Sequence, residues 1–155
     1  MGLGPLTRER RVEASASTDI EASPAVVYRW VTAPDRVVSW VTDLVESRPL
    51  GDGATLEVGA RSIEVLKVGR TLLEVPAEIT AVQPDRLIEL RMELPEGPST
   101  SRMLITETAT GCTVTQTMES VFEGMRLVPS PIVAKLLAQR LNGDLRRLKK
   151  LVERD

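Results

Sequence analysis

One long amphipathic helix near the end of the chain limits most strongly what this sequence can fold into. The segment begins at Ser130-Pro131, a pair typical of a helix start. From there apolar residues recur every three or four positions, at Val133, Leu137, Leu141, Leu145, Leu148 and Val152. This spacing predicts a helix with one apolar stripe. Gly143 lies within it at a cost of roughly 1 kcal/mol relative to alanine, which indicates a kink or a close approach there.

Most of the chain before this helix consists of predicted β-strands. Residues 11–20 alternate between apolar and polar side chains. Six later segments also have strand character: DLVESRPL, ARSIEVLK, TLLEVPAEITAV, RLIELRMEL, SRMLITETA and CTVTQTMESVF. Glycine, proline and aspartate turn signals separate them. Pro76, inside the third of these segments, predicts an edge or a bulge because proline cannot donate to the ladder.

Two short helices are predicted between the first strand and the others. Ser23 can cap the first helix, and Pro24 occupies the first helical position, where its missing N–H is not needed. The apolar residues Val27, Trp30 and Val31 follow at helical spacing. Pro34 interrupts the pattern, so residues 34–40 form a second helix. The predicted order is strand, two short helices, six strands and a long helix.

The last two strands are predicted to form a hairpin. With Thr110-Gly111 as a two-residue turn, Ile105 faces Gln116 and Glu107 faces Val114 on the covered side of the sheet. A covered Gln116 must find hydrogen-bond partners, because an unsatisfied buried amide costs about 1 to 3 kcal/mol. Both a satisfied core amide and a group that contacts a ligand stay open.

Composition and length narrow the class of protein. The 155 residues have the length of one domain, and we assign a flexible leader to residues 1–10 and one domain to residues 11–155. A single cysteine, Cys112, provides no disulfide framework. Neither a signal-peptide pattern nor a stretch of 18 apolar residues is present, so we expect a cytoplasmic protein.

The absence of histidine excludes several chemistries. Without histidine there is no Ser-His-Asp or Cys-His arrangement and no histidine-ligated metal. A Mg²⁺ site made of carboxylates alone stays possible, but no Asp-rich loop is present to form one, so we expect no metal and no cofactor. The net charge of -2 gives no general field for nucleic acid, and we expect no nucleic-acid partner. The ionisable candidates for catalysis are Glu107, Glu64, Glu78, Arg61 and Arg91. Only Glu107 is placed on the covered face, close to a turn, and we assign no catalytic residue.

The element order and several short motifs resemble the START-like superfamily of helix-grip proteins. The motifs are IEASPAVVYRWVTAPDRVVSW at the first helices, Val58-Gly59, VQPDRL between two strands and LKKLVE in the last helix. Within the superfamily the chain looks most like the polyketide cyclase/dehydrase and lipid-transport group (SRPBCC), which includes the Bet v 1-type allergens. The resemblance implies an α+β helix-grip fold, with a seven-stranded antiparallel sheet wrapped around the long C-terminal helix.

The resemblance also implies a cavity between sheet and helix that holds a small hydrophobic ligand such as a lipid or polyketide. Placed on that fold, the residues predicted to bind the ligand are Tyr28, Trp40, Leu90, Met92, Met103, Ile105, Gln116, Met118, Phe122 and Leu137. Methionine adapts its shape and suits a pocket for flexible apolar molecules. Tyr28 and Trp40 stay open between cavity wall and core. The functions open at this point are binding or carriage, a cyclase or dehydratase reaction, and a protein-interaction module with a filled core.

The last helix is rich in basic residues. They are Lys135, Arg140, Arg146, Arg147, Lys149, Lys150 and Arg154. They predict either a solvated face that opposes the negative end of the helix dipole or a weak contact with an anionic membrane surface. The sequence leaves monomer and homodimer open.

Overall fold

Seven β-strands and three helices follow one another in the predicted order. The computed structural model describes residues 9–51, 55–123 and 129–154, without the side chains of Glu9, Phe122 and Glu123. The elements are β1 Glu9–Ile20, α1 Pro24–Thr32, α2 Pro34–Val37, β2 Leu44–Pro49, β3 Arg61–Val68, β4 Thr71–Gln83, β5 Leu87–Leu94, β6 Gly97–Glu107, β7 Cys112–Glu123 and α3 Ser130–Arg154. β1 therefore includes Glu9 and Arg10 of the predicted leader, whose first eight residues lie outside the described residues.

The strands form one antiparallel sheet. Their order is β1-β7-β6-β5-β4-β3-β2, so the first two strands of the chain lie at opposite edges. The helix α3 lies mainly against β1, with further contacts to α1. The α+β helix-grip architecture predicted from the element order is confirmed.

The two short helices form for the reasons read from the sequence. The Ser23 hydroxyl accepts a hydrogen bond from the Val26 N–H at 3.3 Å and caps α1. Ala33 is extended, with φ -72° and ψ 125°, and it ends α1 directly before Pro34 begins α2. These helices connect β1 to β2 at the far edge of the sheet.

The predicted register of the last hairpin is wrong by two residues. Residues 108–111 form the loop, with the Thr108 N–H donating to the Gly111 carbonyl at 2.9 Å, and Glu107 pairs with Cys112. Gln116 therefore faces Met103 rather than Ile105. Because side chains alternate with a period of two, a shift by two keeps every residue on its predicted face.

The glycine of this loop is needed for close packing, which the turn prediction missed. A Cβ atom at Gly111 would lie 2.1 Å from the Ile20 carbonyl oxygen, so only glycine lets the loop pass the end of β1.

Pro76 occupies an edge-like position inside an internal strand. It faces Ile63 of β3, whereas the pairing of β4 with β5 begins only at Ala77. The irregularity in β4 lies further on, between Ile79 and Ala81. Proline is tolerated because no β5 residue is paired with it.

The apolar stripe of α3 packs on one face of the sheet, which we call the covered face and define by Ile79, Met103 and Val114. Leu141, Leu145, Leu148 and Val152 are buried in a cluster with these residues, and Leu137 packs against it. Ile132 and Leu136, off the stripe, are 50% and 59% exposed. The predicted stripe is confirmed.

Gly143 makes no close approach, contrary to one of the two alternatives offered by the sequence. A Cβ atom there would meet nothing within 4 Å. We therefore expect Gly143→Ala to raise the free energy of unfolding by about 1 kcal/mol, and the melting temperature by about 2–4 °C. Thermal unfolding followed by circular dichroism checks this, with the exposed Gln139→Ala as a control that should change less. A lower melting temperature for Gly143→Ala would contradict it.

Candidate functional site

Strand pairing aligns the predicted ligand-binding residues of the sheet in rows across the covered face. Leu90 pairs with Ser101, which pairs with Met118. Met103 pairs with Gln116 in the next row, and Ile105 follows on β6. Met92 lies in a third row, opposite Ser99. Six of the seven residues predicted on the sheet, all except Phe122, therefore belong to neighbouring rows: Leu90, Met92, Met103, Ile105, Gln116 and Met118.

The remaining predicted residues come from the helices and from the end of β7. Tyr28 and Trp40 are 8% and 3% exposed and belong to the buried cluster, against which Leu137 packs. Phe122 lies in β7, but its side chain is outside the described residues. Whether these residues contact a ligand stays a prediction.

The aromatic residues are fixed by specific contacts. The Trp40 indole N–H donates to the Trp30 carbonyl at 3.0 Å. Trp30 itself is half-buried, with the Arg36 guanidinium 4.7 Å from its ring centre, so it fills the core less than its helical position indicated. Burial raises the pKa of the Tyr28 phenol, and the negative charge of Asp85 raises it further. Tyr28 thus stays protonated and can donate a hydrogen bond.

A short polar patch interrupts the apolar rows of β6 and β7. Gln116 is 6% exposed, and its Nε2 donates to the Ser101 hydroxyl at 3.3 Å. Its Oε1 is buried and has no hydrogen-bond partner among the described residues. The hydroxyls of Ser99 and Ser120, both buried, are 2.8 Å apart. The patch therefore presents one free acceptor within an apolar surface.

Among the described side chains of the sheet the buried carboxylate is Glu64, which the sequence analysis did not place on the covered face. Glu107 has the parity of the covered face, but it is exposed because it is the last residue of β6, beside the loop. Glu64 on β3 is 6% exposed. Two other candidates bind to glutamates at the surface: Arg61 to Glu78 at 3.5 Å and Arg91 to Glu93 at 2.9 Å.

Asp144 is a buried ionisable residue that the sequence analysis did not single out. It is 3% exposed on α3, and it accepts hydrogen bonds from the N–H and hydroxyl of Thr42 and from Arg147. Arg147 also donates to the Trp40 carbonyl at 3.1 Å. The available signal was its position, since Asp144 lies three residues after Leu141 and four before Leu148, within the apolar stripe. These hydrogen bonds connect α3 to the segment before β2.

Three of the seven basic residues of α3 bind to their own chain. Arg140 donates to the Thr42 carbonyl at 2.9 Å and Lys149 to the Asp19 carbonyl at 2.6 Å, and Arg147 contacts Asp144. The other four are exposed: Lys135, Arg146, Lys150 and Arg154. A membrane contact through α3 stays a prediction. Four exposed basic residues, rather than all seven, would be available for it.

A comparison with known proteins identifies the family of this chain. A sequence model described as polyketide cyclase / dehydrase and lipid transport matches residues 11–153. The chain belongs to this family. The resemblance inferred from the motifs is thereby confirmed, and the domain is of a ligand-binding type. A search of the curated proteins found no match.

Solved structures share the family fold at low identity. A protein of unknown function from Staphylococcus aureus aligns with a TM-score of 0.77 and 14% identity over 95% of this chain and 96% of its own. The di-domain ARO/CYC protein StfQ of the steffimycin biosynthetic pathway has a TM-score of 0.74 and 11% identity, over 93% of this chain and 51% of its own. Ara h 8.0201 has a TM-score of 0.71 and 9% identity, over 96% of this chain and 100% of its own. At these identities the similarity shows the fold alone.

Among residues 9–51, 55–123 and 129–154, no group of three or more His, Cys, Asp and Glu residues could hold a metal ion. No helix of that part of the chain is long and apolar enough to cross a membrane. A polar pocket beside the β1 edge is lined by Ser17, Thr18, Gln139, Asn142, Leu145 and Arg146, and none of the predicted ligand-binding residues lies in it.

Proposed function

We propose that this protein binds or carries a small apolar or amphipathic molecule between the covered face of the sheet and α3. Membership of the polyketide cyclase/dehydrase and lipid-transport family supports a small-molecule ligand. The adjacent methionines and aliphatic residues of the covered face offer an adaptable apolar surface. A lipid, a polyketide or a similar compound has the matching chemistry.

The observation that carries this proposal is the unpartnered acceptor of Gln116. A filled core would leave Oε1 buried without a donor, which costs about 1 to 3 kcal/mol. A ligand hydroxyl or amine, or a water molecule bound with the ligand, would satisfy it. The unsatisfied amide therefore favours an occupied site over a protein-interaction module with a filled core.

Binding is favoured over a cyclase or dehydratase reaction. General acid and base chemistry on one substrate needs ionisable groups that converge on it. The buried carboxylates in the described part of the chain are Glu64 on β3 and Asp144 on α3, and they share no hydrogen-bond partner. Asp144 is occupied by Thr42 and Arg147. Glu64 is therefore the buried carboxylate of the described residues that no basic side chain holds, and one such group does not supply both an acid and a base.

Native mass spectrometry of freshly purified protein tests the proposal. We expect an adduct in the mass range of a lipid or polyketide that is lost when the chain is denatured. The bare chain mass in the native spectrum, together with no stabilisation by any of a panel of apolar and amphipathic compounds, would overturn the proposal.

Gln116→Leu separates a binding role from a structural one. We expect the free energy of unfolding to stay within about 1 kcal/mol of the original or to rise, because leucine removes the buried unsatisfied amide. The affinity for the compound recovered from the protein, or for decanol where none is recovered, should fall at least about fivefold, since a hydrogen bond is worth about 1 kcal/mol.

The control for this change is Thr117→Val on the opposite face of β7. Thr117 hydrogen-bonds to Ser15 at 3.3 Å, so its replacement tests the outer side of the same strand. Isothermal titration calorimetry and urea unfolding give both quantities. A Gln116→Leu protein with unchanged affinity would remove Gln116 from the site.

A further inference from the structure

The carboxylate of Glu64 is held at one of its two oxygens only. Oε2 accepts hydrogen bonds from the Ser47 hydroxyl at 3.0 Å and the Ser62 hydroxyl at 2.6 Å. Oε1 accepts none from the residues that the structure describes, and Glu64 is 6% exposed. Two hydroxyl donors on one oxygen orient the group and leave the other oxygen free for a further donor.

No basic side chain of the described chain compensates the charge of Glu64. The basic residues of β2 and β3 are Arg48, Arg61 and Lys67, and alternation directs all three to the face opposite Glu64. There Arg48 pairs with Glu46 at 3.3 Å and Arg61 pairs with Glu78. A buried ionised carboxylate normally has a cationic partner, because removing an unpaired charge from water is strongly unfavourable.

The position of Glu64 places it on the ligand-facing side of the sheet. Its cross-strand partner on β4 is Val75, which is 1% exposed. Two residues further along β4, Ala77 pairs with both Ser62 and Met92, so the row continues into the predicted ligand-binding residues. Glu64 therefore extends the covered face toward the β2 edge and adds an acidic group to that face.

We propose that Glu64, oriented by Ser47 and Ser62, binds a protonated amine at the polar end of an amphipathic ligand. This inference rests on the proposed function and narrows the ligand class to cationic amphiphiles. The ammonium group supplies the positive charge that the described residues do not bring to Glu64 and donates to Oε1, while the apolar part of the ligand lies along the methionine rows. Charge-assisted hydrogen bonds of this kind are about twice as strong as neutral ones.

The test compares three probes that share a ten-carbon chain: decylamine, decanol and decanoate. Dissociation constants are measured at pH 7 by displacement of a fluorescent apolar dye. For the unmodified protein we expect decylamine to bind at least about tenfold more tightly than decanol, a difference of ~1.4 kcal/mol, and decanoate to bind least tightly.

Variants assign the preference to Glu64. In Glu64→Gln the decylamine and decanol constants should come within about threefold of each other, because the amide keeps an acceptor but not the charge. Glu74→Gln, whose side chain is 64% exposed on the neighbouring strand, should keep the tenfold preference.

Three outcomes overturn the inference in distinguishable ways. If no probe binds, the proposed function fails together with the inference. If decanol binds and decylamine binds no more tightly, the inference fails and the proposed function stands. If Glu64→Gln is less stable but keeps the amine preference, Glu64 only joins β2 to β3. Because the three probes are first compared on the unmodified protein, this part of the test does not depend on whether a variant folds.

Discussion

Leu148→Ala is expected to lower the free energy of unfolding by about 3 to 5 kcal/mol. Leu148 is fully buried, at 0% exposure, within the cluster that joins α3 to the covered face. Its truncation removes apolar contacts and leaves a cavity beside Leu141 and Leu145, which are held by the backbone of the same helix. Urea unfolding measures the change, and the melting temperature should fall by about 6 °C or more.

Leu136→Ala is the matched control for this prediction. Leu136 is on the same helix and 59% exposed, so the change should stay within about 0.5 kcal/mol. Both variants are measured after removal of any bound compound, since a ligand stabilises the folded state it binds. Equal effects of the two changes would mean that the stripe of α3 is not packed as described.

Asp144→Ala is expected to lower the free energy of unfolding by about 2 to 4 kcal/mol. The change leaves the Thr42 N–H and hydroxyl without their shared acceptor and removes the partner of Arg147. The ion pair between Arg147 and Asp144 adds little to this loss, because the Arg147 side chain is 48% exposed and solvent screens the charge. Thermal and urea unfolding measure the loss.

Two arginine variants separate the network from the general charge of α3. Arg147→Ala should destabilise the fold, because Arg147 also donates to the Trp40 carbonyl. Arg146→Ala, at the exposed neighbouring position, should have almost no effect. An Asp144→Ala protein as stable as the original would show that Thr42 and Arg147 find other partners and that the network contributes little.

Local patterns predicted most of the architecture. The period of α3, the Ser23-Pro24 start of α1 and the break at Pro34 depend on neighbouring residues, so they could be read directly. The hairpin of β6 and β7 shows where this stops. Its register depends on how the loop passes β1. A Cβ atom at Gly111 would lie only 2.1 Å from the carbonyl oxygen of Ile20, a residue far from Gly111 in the sequence, so no local pattern could reveal this contact.

The candidate site divides in the same way. Alternation alone predicted that Gln116 faces the covered side, and the structure adds that its Oε1 has no partner. Alternation also predicted that Glu107 lies on the covered face. Burial, however, depends on which part of the sheet is covered by other elements, and Glu107 is exposed at the end of β6.

By itself the sequence determined the family, the element order and the face on which each strand residue lies, because these follow from local periodicity and short motifs. Only the tertiary structure decided that Glu64 is buried with no cationic partner among the described residues, that Asp144 joins α3 to Thr42, and that three basic residues of α3 bind to their own chain. The physical reason is that burial and charge compensation are set by side chains brought together from distant positions, which no local spacing encodes.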